Sequence, residues 1–120
     1  MQRGHKSLDV WKESVELSVS IYRLTACFPK TEDYGLTSQM RRAGVSVPSN
    51  IAEGAGRGAT KEFIQFLKIA NGSLTELDTQ LEIALKLGYI SNFEKDKMDI
   101  NMESAAAKLA GLMRNLRSRL

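Results

Sequence analysis

The groups whose type and spacing could do chemistry are a set of cations and one polar stripe. Arg57 and Lys61 flank a glycine-rich segment, GAGRGATK from Gly54 to Lys61, and Lys108, Arg114, Arg117 and Arg119 follow the last acidic residue, Glu103. Cations of this kind contact phosphates, and near a helix C-terminus they equally complement the helix dipole. The glycine-rich segment matches neither GxxxxGK followed by Ser or Thr nor GxGxxG, and no strand pattern precedes it. It therefore reads as a helix–helix connection and not as a nucleotide-binding loop. A weaker role remains open to it, because free N–H groups opening the next helix, with Arg57 and Lys61 nearby, could hold a phosphate. His5 is the sole histidine and Cys27 the sole cysteine. That excludes His/Cys metal clusters, Ser–His and Cys–His pairs, and the Glu-x-x-His ligands of di-iron bundles. Glu53 and Glu76 could lie inside a bundle with Arg41 or Arg42 as partner, an arrangement that more often pairs charge than performs catalysis. No enzyme, metal or cofactor is expected.

The polar stripe comprises Arg42, Ser46, Asn50, Glu53 and Arg57, at steps of three and four, with Ser49 beside it. It reads as a solvated face, a ligand site, or a hydrogen-bonded network between subunits. The last is favoured, because the following helix is apolar around much of its circumference and needs more cover than a lone bundle provides.

The elements that position these groups are legible in the periodicity. A chain of 120 residues with 42% hydrophobic and 26% charged residues fits one soluble domain, residues 1–120, and argues against disorder. The net charge of +3 permits a nucleic-acid partner without demanding one. No apolar run approaches the roughly 18 residues that span a membrane, no signal peptide opens the chain, and one cysteine suits a reducing cytoplasm. Met1–Lys6 reads as a loose basic tail. A first helix over residues 8–27 has the apolar stripe Leu8, Trp11, Val15, Val19, Tyr22 and is ended by Pro29. A second, over 36–57, contains Pro48 in its middle, with Gly44 four residues earlier where the ring would press on the backbone; a kink is expected there. A third, over 61–87, has Thr60 as its N-cap and an unbroken heptad seam, Phe63, Leu67, Ala70, Leu74, Leu77, Leu81, Ala84. Beside the seam runs a second stripe, Phe66, Ile69, Ile83, Leu87, interrupted by Ser73, Glu76 and Gln80. Gly88 stops that helix, and the capping box Ser91–Glu94 starts a fourth, over 92–118, with Met98, Met102, Ala105, Leu109, Leu112, Leu116 inward. The fold class is all-α, an antiparallel up-and-down four-helix bundle.

LTSQMRRAGVSVPSNIAEGAGR and KEFIQFLKIANGSLTELDTQLEIALKLGYI, together with the early LDVW and the FPKTEDYGL connection, resemble a bacterial four-helix-bundle family. That family includes proteins encoded in intervening sequences of large-subunit ribosomal RNA genes. The chain is also similar to the accessory variability proteins of diversity-generating retroelements. The resemblance implies a ring-like homopentamer with no assigned enzymatic activity. It implies RNA or DNA as a partner and, in the retroelement branch, a reverse transcriptase. Gly44 stands where the family often has alanine, and Asn71 where a basic residue often precedes Gly-Ser. On that footing the chain is expected to be a cytoplasmic, homo-oligomeric adaptor that engages RNA or an RNA-linked protein. Its RNA contacts would be Arg57, Lys61, Lys108, Arg114, Arg117 and Arg119. Its interface or buried polar network would be Arg42, Ser46, Asn50, Glu53, Glu76 and Gln80. A scaffold without nucleic acid is the alternative.

Overall fold

The computed structural model describes residues 3–120; Met1 and Gln2, part of the expected basic tail, lie outside the described residues. Four helices make up the fold: α1 (Asp9–Thr25), α2 (Leu36–Gly56), α3 (Thr60–Lys86) and α4 (Asn92–Arg117). Each packs on its sequence neighbours and α4 closes on α1, with no diagonal pair in contact. This is an up-and-down bundle measuring 45 × 26 × 19 Å. The α2–α3 hairpin is the tightest pair, and the α1–α4 seam is the loosest between helices. No strand occurs among the described residues, and none of the helices is long and apolar enough to cross a membrane.

The helix ends follow local chemistry. Ser91 Oγ accepts from the Glu94 N–H while the Glu94 carboxylate accepts from the Ser91 N–H, so the expected capping box opens α4. Gly88 takes a positive φ of 77°, and Tyr89 N–H donates to Ala84 while Gly88 N–H donates to Leu85. That is a Schellman stop for α3. Thr60 is already helical and Ala59 is the uncapped N-cap, which corrects the expected Thr60 cap. The first helix ends at Thr25, four residues before Pro29, with Phe28 N–H turned back onto Thr25. The tail is also less loose than expected: Gly4–Ser7 forms a 3₁₀ turn, and His5 meets Trp11 edge-on with ring centroids 5.0 Å apart.

The core is built from Leu17 and Ile21 of α1, Met40, Val47 and Ile51 of α2, the α3 seam from Leu67 to Ala84, and Met98, Met102, Ala105 and Leu109 of α4. The α1 face differs from the expected stripe. Val19 and Tyr22 are exposed, and Val10, Ser14, Leu17, Ser18, Ile21 and Thr25 are the buried positions. Hydroxyl groups make this possible. Ser14 Oγ donates to Trp11 O at 2.9 Å and Thr25 Oγ1 to Ile21 O at 2.7 Å, so polar side chains enter the core already satisfied by their own helix.

Ser18 has a second use. Its Oγ lies 3.0 Å from Ser14 O and 2.6 Å from Gly44 O, across the α1–α2 seam. Gly44 O is the carbonyl that residue 48 would bond if it were not proline, so a hydroxyl from the neighbouring helix replaces the missing N–H. α2 runs through Pro48 without a break, and the expected kink is not among its observed features. Gly44 is not needed for space: a Cβ there would meet Ile21 and Ser18 at 3.7 Å, ordinary contact distance.

The loops at one end are tied by Glu32. Its Oε1 accepts from the Leu36 N–H at 3.1 Å and its Oε2 from the Tyr89 hydroxyl at 2.8 Å, joining the α1–α2 and α3–α4 connections. The Leu36 N–H and the Tyr89 hydroxyl hold the Glu32 carboxyl below its ordinary value, and Glu32 raises Tyr89 in turn. A depressed carboxylate contributes stability that is fully present above its unfolded pKa and is lost as pH falls through the lowered folded one. Glu32→Gln is therefore expected to flatten the acid limb of a urea-midpoint-against-pH curve below the ordinary value of 4.5. An unchanged acid limb would assign the acid sensitivity elsewhere.

Candidate nucleic-acid interface

The topology puts the C-termini of α2 and α4 and the N-termini of α1 and α3 at one end of the bundle, and the candidate cations collect there. Lys61 and Lys68 of α3 and Arg117 of α4 line one open recess, with Glu62 as its one acidic side chain. Arg114 lies one turn before Arg117, and Arg119 follows in the last turn; both are exposed. None of these five cations makes an ion pair among the described residues. Lys68 escaped the sequence reading because it sits inside the apolar run FIQFLKIA. Its signal was the spacing Lys61, Gln65, Lys68, one stripe of a helix at steps of four and three.

Two other candidates are occupied. Arg57 Nη2 is 2.8 Å from Glu53 Oε1, and its guanidinium lies 5.0 Å from the Phe66 ring centroid. Lys108 Nζ is 2.7 Å from Glu13 Oε2 and ties α4 to α1. Burial acts to raise the Glu13 carboxyl, but the Lys108 ammonium beside it and the nearby Ser104 hydroxyl outweigh it and hold it below its ordinary value. Within the chain Lys108 is thus paired with Glu13, and Lys68 joins the cations of this end.

The recess is one end of a groove between α3 and α4 that changes sign along its length. Its middle is lined by Asn71, Leu74, Thr75 and Ala106, with Asp78 and Glu103 shared between it and the far part, where Glu82 and Asp99 join them. Lys95 is the cation in the far part, 2.7 and 2.8 Å from the two Asp99 oxygens and 3.5 Å from Glu82. Those bonds to Asp99 raise Lys95 above its ordinary value against the opposing effect of burial.

The polar stripe divides into separate parts. Ser46 Oγ bonds Ser73 Oγ at 2.8 Å, and Asn50 Nδ2 donates to Ser46 O and Oγ at 2.8 and 2.9 Å. This network bridges α2 and α3 of a single chain. Glu53 and Glu76 face solvent, which corrects their placement inside the bundle. The reason is register: they lie outside the buried stripes Val47–Ile51–Gly54 and Leu74–Leu77–Leu81. Arg41 is partner to neither; its Nε donates to Thr25 Oγ1 at 2.9 Å, and its guanidinium sits 4.6 Å from the Tyr22 ring centroid. Arg42 is exposed and makes no ion pair among the described residues. Gln80 is buried, and its Oε1 has no hydrogen-bond partner among the described residues. Along the second α3 stripe, Ile69, Ile83 and Leu87 are 52%, 44% and 53% exposed. The glycine-rich segment is a helix–helix connection in which Gly58 takes a positive φ of 83°.

A search of curated proteins finds no match. Among solved structures, the chain is similar to a protein of unknown function from the S23 ribosomal protein family of Bacteroides thetaiotaomicron. The two share 22% identity at a TM-score of 0.80, over 88% of this chain and 95% of that one. At that identity the likeness establishes the shared fold. The model of the 23S rRNA-intervening sequence protein family matches residues 6–111, which takes in all of α1, α2 and α3 and most of α4. With the sequence match and the bundle in agreement over nearly the whole chain, the protein belongs to the 23S rRNA-intervening sequence protein family.

Proposed function

We propose that the chain is a non-enzymatic, homo-oligomeric adaptor of the cytoplasm that engages RNA through the basic end of its bundle. The observation that carries this reading is the collection of five unpaired cations, Lys61, Lys68, Arg114, Arg117 and Arg119, on two adjacent helix ends. Each phosphate contact is weak, but an assembly repeats the patch, and repeated contacts add in a salt-dependent way. A pentamer is the oligomer this reading adopts from the family resemblance. An RNA-linked protein such as a reverse transcriptase is the alternative route to the same RNA. A second reading, a protein-interaction scaffold without nucleic acid, draws on the open Ile69–Ile83–Leu87 stripe, which favours association whether or not RNA binds.

One experiment tests both parts. RNA binding is measured over a salt series for the wild type and for Lys61→Gln/Arg117→Gln, with light scattering in the same buffers. Binding should weaken steeply with salt, and the variant should be weaker still at unchanged oligomeric mass. No binding at low salt by an intact oligomer would leave the scaffold reading. In parallel, Ile69→Glu/Ile83→Glu, which alters exposed side chains only, should lower the oligomeric mass while retaining helicity. An unchanged mass would make that stripe ordinary surface.

A further inference from the structure

Resting on the RNA reading above, we infer that the basic end takes double-stranded RNA through its phosphate backbone and does not take single strands by base stacking. Single-strand binders combine cations with aromatic faces on which bases stack. At this end every aromatic ring is already engaged. Trp11 is half-buried and met edge-on by His5. Phe66 is half-buried beneath the Arg57 guanidinium. Phe63 is half-buried and packs against the core, close to Gly54.

The rings that are open lie elsewhere. Tyr34 and Phe93 are 101% and 72% exposed, in the α1–α2 connection and the first turn of α4, at the opposite end of the bundle from the cations. The five cations of the basic end and these two open rings therefore lie at opposite ends of the 45 Å molecule, and the cation beside an open ring, Lys97 at 5.6 Å from the Phe93 centroid, belongs to the far end. A ligand gripped by this end meets cations beside Gln65, Ile64 and Leu120 but no open ring, and charge without stacking selects the polyanion of higher charge density, a duplex.

The groove reinforces the selection. Lys61 and Lys68 are seven residues apart, about 10 Å along α3. Arg114 and Arg117 form a parallel row on α4. Two rows of cations on neighbouring helices can meet phosphates on both sides of the wide, shallow minor groove of an A-form duplex, where RNA helices are recognised by shape and backbone. Beyond Leu74 and Ala106 the groove turns acidic, with Asp78, Glu82, Asp99 and Glu103. A flexible single strand drawn along the groove would run into those carboxylates. A stiff duplex lying across the end avoids them.

The test compares two fluorescent RNAs on the full-length protein by anisotropy at matched salt: a duplex of about 20 base pairs, longer than one typical duplex-binding module covers, and an oligouridine of equal strand length. The duplex is expected to bind about tenfold tighter, with a log–log salt slope that Lys61→Gln/Arg117→Gln reduces by about 2. Asp78→Asn/Glu103→Gln should narrow the difference by improving binding of the single strand. Oligouridine binding as tightly as the duplex would overturn the inference while leaving the RNA reading intact. Failure of both RNAs to bind at low salt would overturn the RNA reading and this inference with it. Helical circular dichroism of each variant separates lost contacts from lost fold.

Discussion

Replacing Gly54 by alanine is expected to destabilise the protein by about 2 kcal/mol, against the usual sign of a glycine-to-alanine change in a helix. In an exposed helix interior that change gains roughly 1 kcal/mol, because glycine carries the larger backbone entropy cost. At Gly54 the added Cβ would stand 2.7 Å from Phe66 Cβ, 2.9 Å from Phe63 Cδ1 and 3.3 Å from Phe63 O. Phe66 Cβ is fixed to the α3 backbone, so a rotamer change cannot clear it. The helices must separate at this point, and overpacking of this kind costs about 1–3 kcal/mol or more. Gly44→Ala is the control, because its nearest neighbours would lie at 3.7 Å. It should be neutral or stabilising by up to about 1 kcal/mol. Urea denaturation of both variants at one protein concentration checks the pair. A Gly54→Ala midpoint at or above that of the wild type would show that the hairpin has slack at this point.

The sequence carried much of the fold, and it carried it unevenly. α3 was legible because its seam from Leu67 to Ala84 alternates apolar residues without a slip, and burial follows that pattern. α1 was misread by a rotation, because the eye follows Val19 and Tyr22 while Ser14, Ser18 and Thr25 occupy the core. A hydroxyl that bonds its own helix is polar in the alphabet and nearly apolar in the fold. The capping box and the Gly88 stop were readable, being local. Ion pairs between distant segments were not: Glu13 and Lys108 are 95 positions apart in sequence, and only the closure of α4 on α1 brings them to 2.7 Å. The same limit applied to the candidate interface. Its basic character was visible after Glu103, but which cations are free depends on which ones tertiary packing has already paired.

Ser18→Ala is expected to cost about 1–3 kcal/mol, the range for leaving a buried acceptor without its donor. That exceeds what the loss of one small side chain would suggest. The acceptor is Gly44 O, which has no N–H from residue 48 to bond, because residue 48 is proline. Ser18 is 8% exposed and Gly44 is buried between α1 and α2, so water is a poor substitute for the hydroxyl. The assignment couples Ser18 to Pro48 through one shared carbonyl, and a double-mutant cycle tests it. In Pro48→Ala the new N–H can bond Gly44 O and restore the helical ladder, while the buried proline ring is lost. On that background Ser18→Ala removes a second donor from a carbonyl that already has one, and its cost should fall by about 1 kcal/mol. The cavity left by the proline ring appears in both Pro48→Ala arms and cancels from the coupling. Equal costs of Ser18→Ala on both backgrounds would mean that the 2.6 Å contact is incidental packing. A positive coupling would show that this bundle keeps a proline inside a helix by drawing the missing hydrogen bond from the neighbouring helix. α1 and α2 would then be held in register by the position of one hydroxyl, which a sliding of either helix by a single residue would remove.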